Sequence, residues 1–252
     1  MDSLYADALK NMLAYFDSLS TFIERPKKIK KGNTYVYRYK SSSICPAILQ
    51  KLARVLTGIQ AIYALNNCGL TQEQAAIQRI LDDLTEDISF LALSIIVDKN
   101  TKLHDEYLDA FYEEEFNNQS SMVRSSQKRP MISRKKIRAY VNNFDGVDDP
   151  STGIEVSRTF HKAYSGYVHG ASPQIMELYF GSPPRFDLQG SKSSPLFLDH
   201  VNDLFNYFYR AILAFGFSAK AFGDDGLFKK IHLYLDEFAT CFGYSGYLNP
   251  DN

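Results

Sequence analysis

One helix-forming stretch gathers side chains suited to acid–base and phosphate chemistry. On a wheel advancing about 100° per residue, Ser165 and His169 fall within about 20° of Arg158, with His161 and Lys162 within about 60°. Phe160, Ala163, Tyr164 and Tyr167 take the opposite side. Imidazole is the side chain whose charge changes nearest neutral pH, and a neighbouring guanidinium holds a phosphate oxyanion. Arg158, His161, Ser165 and His169 are therefore the candidates for catalysis. The same stripe also reads as a hydrogen-bonded polar seam between helices. Arg79 is the candidate partner from a second helix, where it shares a face with Asp83 and Glu86, flanked by Asp82 and Asp87. That spacing is equally the pattern of intrahelical ion pairs, worth only a few tenths of a kcal/mol each. Carboxylates so placed would need ligands from another element to hold a divalent cation, and no metal is expected. His104, His200 and His232 read as structural.

Charge is distributed in blocks. Seven basic and no acidic residues lie between Arg25 and Lys40, and seven more between Arg124 and Arg138, so 14 of the 28 Lys and Arg fall in two short segments. Lys30 and Lys31 in the first, with Arg134, Lys135, Lys136 and Arg138 in the second, are the candidate nucleic-acid contacts, since lysine and arginine bind phosphate without reading sequence. Binding of that kind should be weak and lost with salt, and reversing the charge of Lys135 and Lys136 should weaken it while sparing the fold. Eleven of the 29 acids lie between the two segments, from Asp82 to Glu115. Opposite blocks also pair with each other or simply face water.

The elements that must position these residues are helices. Leu4, Ala8, Leu9, Met12, Leu13, Phe16 and Leu19 recur at three- and four-residue steps, predicting a helix from Ser3 to Ile23 that Pro26 stops. Residues 34–40 alternate with a period of two, and with no second strand nearby they read as an extended arm. A helix over 46–67 ends at Gly69, and Thr71 with Gln74 reads as a capping box opening a helix over 72–97. The short link makes these two an antiparallel pair. An acidic helix over 102–117 precedes a polar loop over 118–130, and Ser133 starts a short basic helix to Phe144. A helix over 152–169 is expected to pack on the central pair, and helices over 195–222 and 227–244 close the chain. The aromatic residues of those last helices suit a core or a homodimer surface. The fold class is all-α: a bundle of seven or eight helices around a central antiparallel pair, in one domain over residues 1–252.

Tyr164-Ser165-Gly166-Tyr167-Val168-His169-Gly170 resembles the Y-S-x-Y-V-H-G segment of helical bacterial proteins of the DUF5677 and abortive-infection type, near the HEPN group. The stretch Leu65–Leu84, with Gly69-Leu70 and with Arg79 before Asp82-Asp83, is similar to their central helix pair. The resemblance spans about half the chain. It implies a HEPN-like bundle acting on RNA or a nucleotide, in a bacterial defence or toxin–antitoxin setting. In HEPN ribonucleases, the resemblance implies RNA cleavage by an arginine and a histidine separated by about four to six residues. Here Arg158 precedes His161 by three and His169 by eleven, so an arginine from another helix would have to supply the partner. The other reading is a non-catalytic helical module that binds proteins.

Composition narrows the alternatives. At 252 residues with 45% hydrophobic and 23% charged, the chain is ordinary globular material rather than a disordered one. Cys45, Cys68 and Cys241 cannot all pair and show no zinc spacing, which reads as reduced thiols in a cytoplasmic protein. No export signal opens the chain, and the apolar run Phe90–Val97 is far short of the ~18 residues that span a bilayer, so no membrane partner is expected. P-loop, GxGxxG, HExxH and GxSxG patterns are absent, and no cofactor is expected.

Overall fold

The computed structural model of the chain describes residues 2–114, 130–143, 159 and 162–243. Among them are nine helices and two small two-stranded sheets. In chain order these are α1 (Asp2–Ser20), β1 (Lys27–Lys31), β2 (Thr34–Arg38), α2 (Ile44–Cys68), α3 (Thr71–Ile96), α4 (Lys102–Tyr112) and α5 (Arg134–Asn142). They continue with α6 (162–169), α7 (Ser172–Met176), β3 (Tyr179–Phe180), β4 (Arg185–Phe186), α8 (Phe197–Ala221) and α9 (Asp225–Cys241). The protein is mostly helical, as its apolar periodicity requires. No described helix is long and apolar enough to cross a membrane.

α2 and α3 run antiparallel. Lys51 meets Asp87, Gly58 meets Leu81 and Asn66 meets Gln74, three contacts whose order reverses between the helices. Gly58 is there for closeness: a Cβ on it would lie 2.7 Å from Leu81. Gly69 ends α2 with φ +77 and donates its amide to the Asn66 carbonyl, a left-handed stop that glycine makes without strain. The expected capping box at Thr71 is absent. Leu70 is the N-cap, the Thr71 hydroxyl meets Ser191 at 2.9 Å, and the Gln74 amide donates to the His200 carbonyl at 2.8 Å. A distant loop and the first turn of α8 thus take the polar groups that local spacing had assigned to the helix start.

α8 is the inner helix. It packs on α3, α2, α1 and α9, and Phe208, Ala211, Ile212, Phe215 and Ala219 are fully buried along it. Its aromatic residues are used in the chain's own core. α1 joins that core through Tyr5, Ala8, Met12, Tyr15 and Leu19, not through Leu13, which is 49% exposed. The buried stripe is shifted because two tyrosines face inward, Tyr5 on Phe208 with centroids 4.6 Å apart and Tyr15 on Phe215 at 6.3 Å. The 152–169 helix is described only at Thr159 and over 162–169, where Tyr164 meets α8.

The acids of α3 hold its neighbours. Asp87 takes Lys51 of α2 at 2.8 Å and Arg134 of α5 at 2.5 Å, and the side chains of Lys51 and Asp87 are 8% and 5% exposed. Burial alone would push the Asp87 carboxyl up, but Lys51 and Arg134 outweigh it and hold the carboxyl below its ordinary value. Asp87→Asn would leave Lys51 buried without its counter-charge and should cost about 3–5 kcal/mol in urea unfolding. Because the folded pKa is depressed, the wild-type contribution is complete above the unfolded value near ~4 and vanishes as pH falls through the folded one. The variant should lack that part of the acid sensitivity.

Candidate nucleic-acid interface

Residues 34–38 are not an arm. They pair antiparallel with Lys27–Lys31, in register from Lys27↔Arg38 to Lys31↔Thr34, around Gly32 at φ +60. The partner strand reads Lys-Lys-Ile-Lys-Lys, which carries almost none of the β-branched and aromatic residues that mark a strand, so the pairing is not visible in its pattern.

Alternation then sorts the side chains. Lys28, Lys30, Tyr35 and Tyr37 share one face, with Lys28 opposite Tyr37 and Lys30 opposite Tyr35. Both rings are open to solvent, Tyr35 at 50% and Tyr37 at 55%. Their centroids are 5.6 Å apart in an edge-on pair, and the Lys28 ammonium lies 3.7 Å from the centre of the Tyr35 ring. On the other face, the Arg38 fork takes both carboxylate oxygens of Glu114, and Lys31 adds an ion pair at 3.6 Å. The Arg38 hydrogen bond holds the Glu114 carboxyl below its ordinary range. Lys30 and Lys31, adjacent in sequence, are thereby separated: Lys30 faces solvent and Lys31 faces the acid beyond α4.

The second basic segment divides in the same way. Arg134 and Arg138 lie one turn apart and turn toward α3, Arg134 to Asp83 and Asp87 and Arg138 to Glu86 at 2.7 Å. Burial would lower the Arg134 pKa, but the three carboxylates raise it, so its charge is fixed. Lys135 and Lys136 remain exposed on the far side of α5. Arg79 pairs with Asp83 at 2.8 Å, and Arg134 reaches the same carboxylate at 3.4 Å. A residue considered for catalysis and one considered for phosphate contact therefore meet on one half-buried acid.

His169 is exposed at the end of α6, and Ser165 is half-buried on that helix. Arg158 and His161 lie outside the described residues, so the expected stripe is seen only in these two members. The aromatic side of α6 is well defined. The Tyr164 hydroxyl donates to Asp203 of α8, and the Tyr167 hydroxyl donates to Glu177 at 2.9 Å. Burial raises the Asp203 carboxyl above its ordinary value despite the Tyr164 hydrogen bond.

Arg210 is a functional-looking residue that local reasoning passed over. It pairs with Asp82 at 2.6 Å and borders a recess of about 220 Å³ together with Tyr164, Asp203, Asn206, Tyr207 and Tyr209. Its signal was available: Asp203 and Arg210 are charges seven residues apart, two helical turns, bracketing an aromatic-rich stretch with Phe205, Tyr207, Phe208 and Tyr209. His104 is wholly buried and structural. The Thr101 amide donates to its Nδ1 at 3.1 Å, so Nε2 carries the proton toward the Phe90 carbonyl at 3.3 Å. Burial lowers its pKa.

Comparison with protein-family models, with curated proteins and with solved structures returns no match.

The divided segment makes a two-part prediction. The Lys135→Glu/Lys136→Glu double variant should melt within a few degrees of wild type, since both side chains are exposed. Arg138→Ala should cost on the order of 1–2 kcal/mol at neutral pH, because it takes from Glu86 its nearer partner and leaves it only the Arg134 guanidinium at 3.6 Å. Burial already raises the Glu86 carboxyl above its ordinary value. A raised folded pKa means stability that is present below the unfolded value and lost as pH rises through the folded one. Denaturation at several pH values should show the Arg138→Ala deficit shrinking toward acid, as Glu86 takes up a proton.

Proposed function

We propose that this protein binds single-stranded nucleic acid on the outer face of β1 and β2, with RNA as its partner. One observation carries the reading: two exposed tyrosines and two lysines, Tyr35, Tyr37, Lys28 and Lys30, on one face of an exposed two-stranded sheet. An aromatic face stacks any base, and ammonium groups beside it track the phosphates. Lys135 and Lys136 are the cations of the second segment still open to phosphate. RNA as the substrate, a HEPN-like fold and a bacterial defence or toxin–antitoxin setting rest on the resemblance of residues 164–170 and of the α2–α3 region. Cleavage is a separate function, assigned in this reading to His169, the exposed imidazole within that segment. Arg79 is a weaker candidate, being engaged with Asp83.

The second reading, a non-catalytic protein-binding module, has its own observation. The stretch from Val168 to Leu198 leaves several large apolar side chains exposed, Leu188 at 80% and Leu198 at 65%. Exposed apolar area of this sort marks protein contacts.

Titration of labelled oligouridylate separates the readings. Tyr35→Ala and Tyr37→Ala should each weaken binding by about five- to a hundredfold, the cost of one lost stack. Lys28→Ala and Lys30→Ala should each lower the salt slope by about 0.7. Absence of binding at low salt, or binding indifferent to both tyrosines, rejects the nucleic-acid proposal. Incubation with total RNA then tests cleavage: His169→Ala should abolish it with Tm unchanged, since an exposed side chain carries little stability. An intact wild-type RNA pool removes the catalytic part alone.

A further inference from the structure

A cleft of about 650 Å³ opens between β2 and the end of α4. Its lining includes Lys31, Tyr37, Arg38, Tyr39, Tyr112 and Glu114. The volume lies within the range of small-molecule sites, about 300–1,000 Å³, and the mixture of rings with a few charged groups is what such sites use to hold and orient a ligand. Phe111 and Tyr112 meet edge to face at 4.9 Å on the α4 side, and Tyr112 is fixed by its hydrogen bond to the Ser43 carbonyl at 2.9 Å. Gln50 also lines the cleft; its amide nitrogen donates to the Pro46 carbonyl at 3.0 Å, and its carbonyl oxygen can accept from a base edge.

We infer that this cleft holds one nucleotide, its base among Tyr39, Phe111 and Tyr112 and its phosphate on Arg38 and Lys31, where Glu114 stands in the free protein. The assignment deepens the nucleic-acid reading and rests on it, because Tyr37 belongs both to the outer face of the sheet and to the cleft. A strand stacked on Tyr35 and Tyr37 would therefore pass the mouth of the cleft.

Glu114 explains how an anion site stays satisfied when empty. A guanidinium receives carboxylate and phosphate through the same two-pronged hydrogen-bond geometry, and Arg38 spends Nε and Nη2 on the two Glu114 oxygens, the second at 2.9 Å. The side chains of Lys31, Arg38 and Glu114 are all one-third to one-half exposed, and pairs so exposed contribute about 0–1 kcal/mol. A phosphate carrying up to two charges can displace such a carboxylate at little cost. The Glu114 carboxylate then swings to solvent, and the Arg38 fork and Lys31 close on the phosphate oxygens.

The ligand chemistry is a nucleoside phosphate, which could arrive free or as one unit of a strand. Calorimetric titration of the full chain with uridine and adenosine 5′-monophosphates at low salt, run beside the oligouridylate titration, distinguishes these sources. Glu114→Gln should tighten mononucleotide binding up to about fivefold, by removing the internal competitor. Arg38→Met should weaken it by about tenfold or more, by removing the fork. Circular dichroism melts confirm that both variants fold. Mononucleotide binding with both shifts supports the cleft even if no oligonucleotide binds, in which case the ligand is free nucleotide and the strand reading fails. Oligonucleotide binding that depends on Tyr35 and Tyr37, without mononucleotide binding and without response to Glu114→Gln, overturns the cleft and leaves the strand reading standing. Binding of neither ligand overturns both.

Discussion

The arrangement of the helices depends on the acids of α3 between Asp82 and Asp87. Within six residues this helix pairs with Lys51 of α2, with Arg134 and Arg138 of α5 and with Arg210 of α8. Burying charges costs more than burying hydrocarbon unless each finds its partner. Once the partners come from three different helices, however, the pairs restrict how those helices can be placed. α5 shows the consequence most directly. Ile137 is its one fully buried apolar residue, too little surface to fix a nine-residue helix, and Tyr140 adds a ring against Phe90 and His104. The two arginines decide where α5 docks.

That constraint also determines which positive charge reaches solvent. The two basic segments look alike as sequence, each with seven cations and no acid. α3 neutralises the arginines of α5 and leaves its lysines outside. Among the described residues, the members of β1 and β2 paired with a carboxylate are Lys31 and Arg38, both with Glu114. Half of the predicted nucleic-acid contacts therefore differ in kind from the other half: Lys30, Lys135 and Lys136 are exposed, whereas Arg134, Arg138 and Lys31 have carboxylate partners. Residue type foreshadowed the division within α5. Arginine, with its planar fork, is suited to internal carboxylates, and lysine is suited to water.

Helices were legible because their signal is local: a 3.6-residue period survives whatever the helix packs against. The antiparallel course of α2 and α3 followed from a link of two residues. What local pattern could not supply was the identity of distant partners. Thr71 and Gln74 have the spacing of a capping box, yet Ser191 and His200, more than 100 residues away, take their hydrogen bonds. Thr101 and His104 form the capping box that is present, with an imidazole in the place usually held by a carboxylate or amide. Tyr5 and Tyr15 take part of the α1 core stripe and leave Leu13 outside, because α8 offers them rings to pack on. Of the expected catalytic set, Arg79 was legible as an ion-pairing residue, and Asp83 is its partner.

The basic two-stranded sheet has an ordinary structural role open to it, and that role accounts for only part of its composition. A lone pair of strands is marginal in water, and its unpaired edges invite aggregation, which lysines suppress. The anchoring of Arg38 and Lys31 to Glu114, together with the lysines of β1, would meet both needs. Tyrosine at positions 35 and 37 serves the first need, as a strand former whose rings pair with each other and with Lys28, but not the second. Two half-exposed rings on the face away from the anchor add apolar surface where protection against aggregation would favour more charge. The cation over Tyr35 leaves the Tyr37 ring at its side open. A face that combines stacking surface with exposed ammonium groups, on an element whose ion pairs among the described residues lie on its other face, fits the proposed contact surface better than a capped edge.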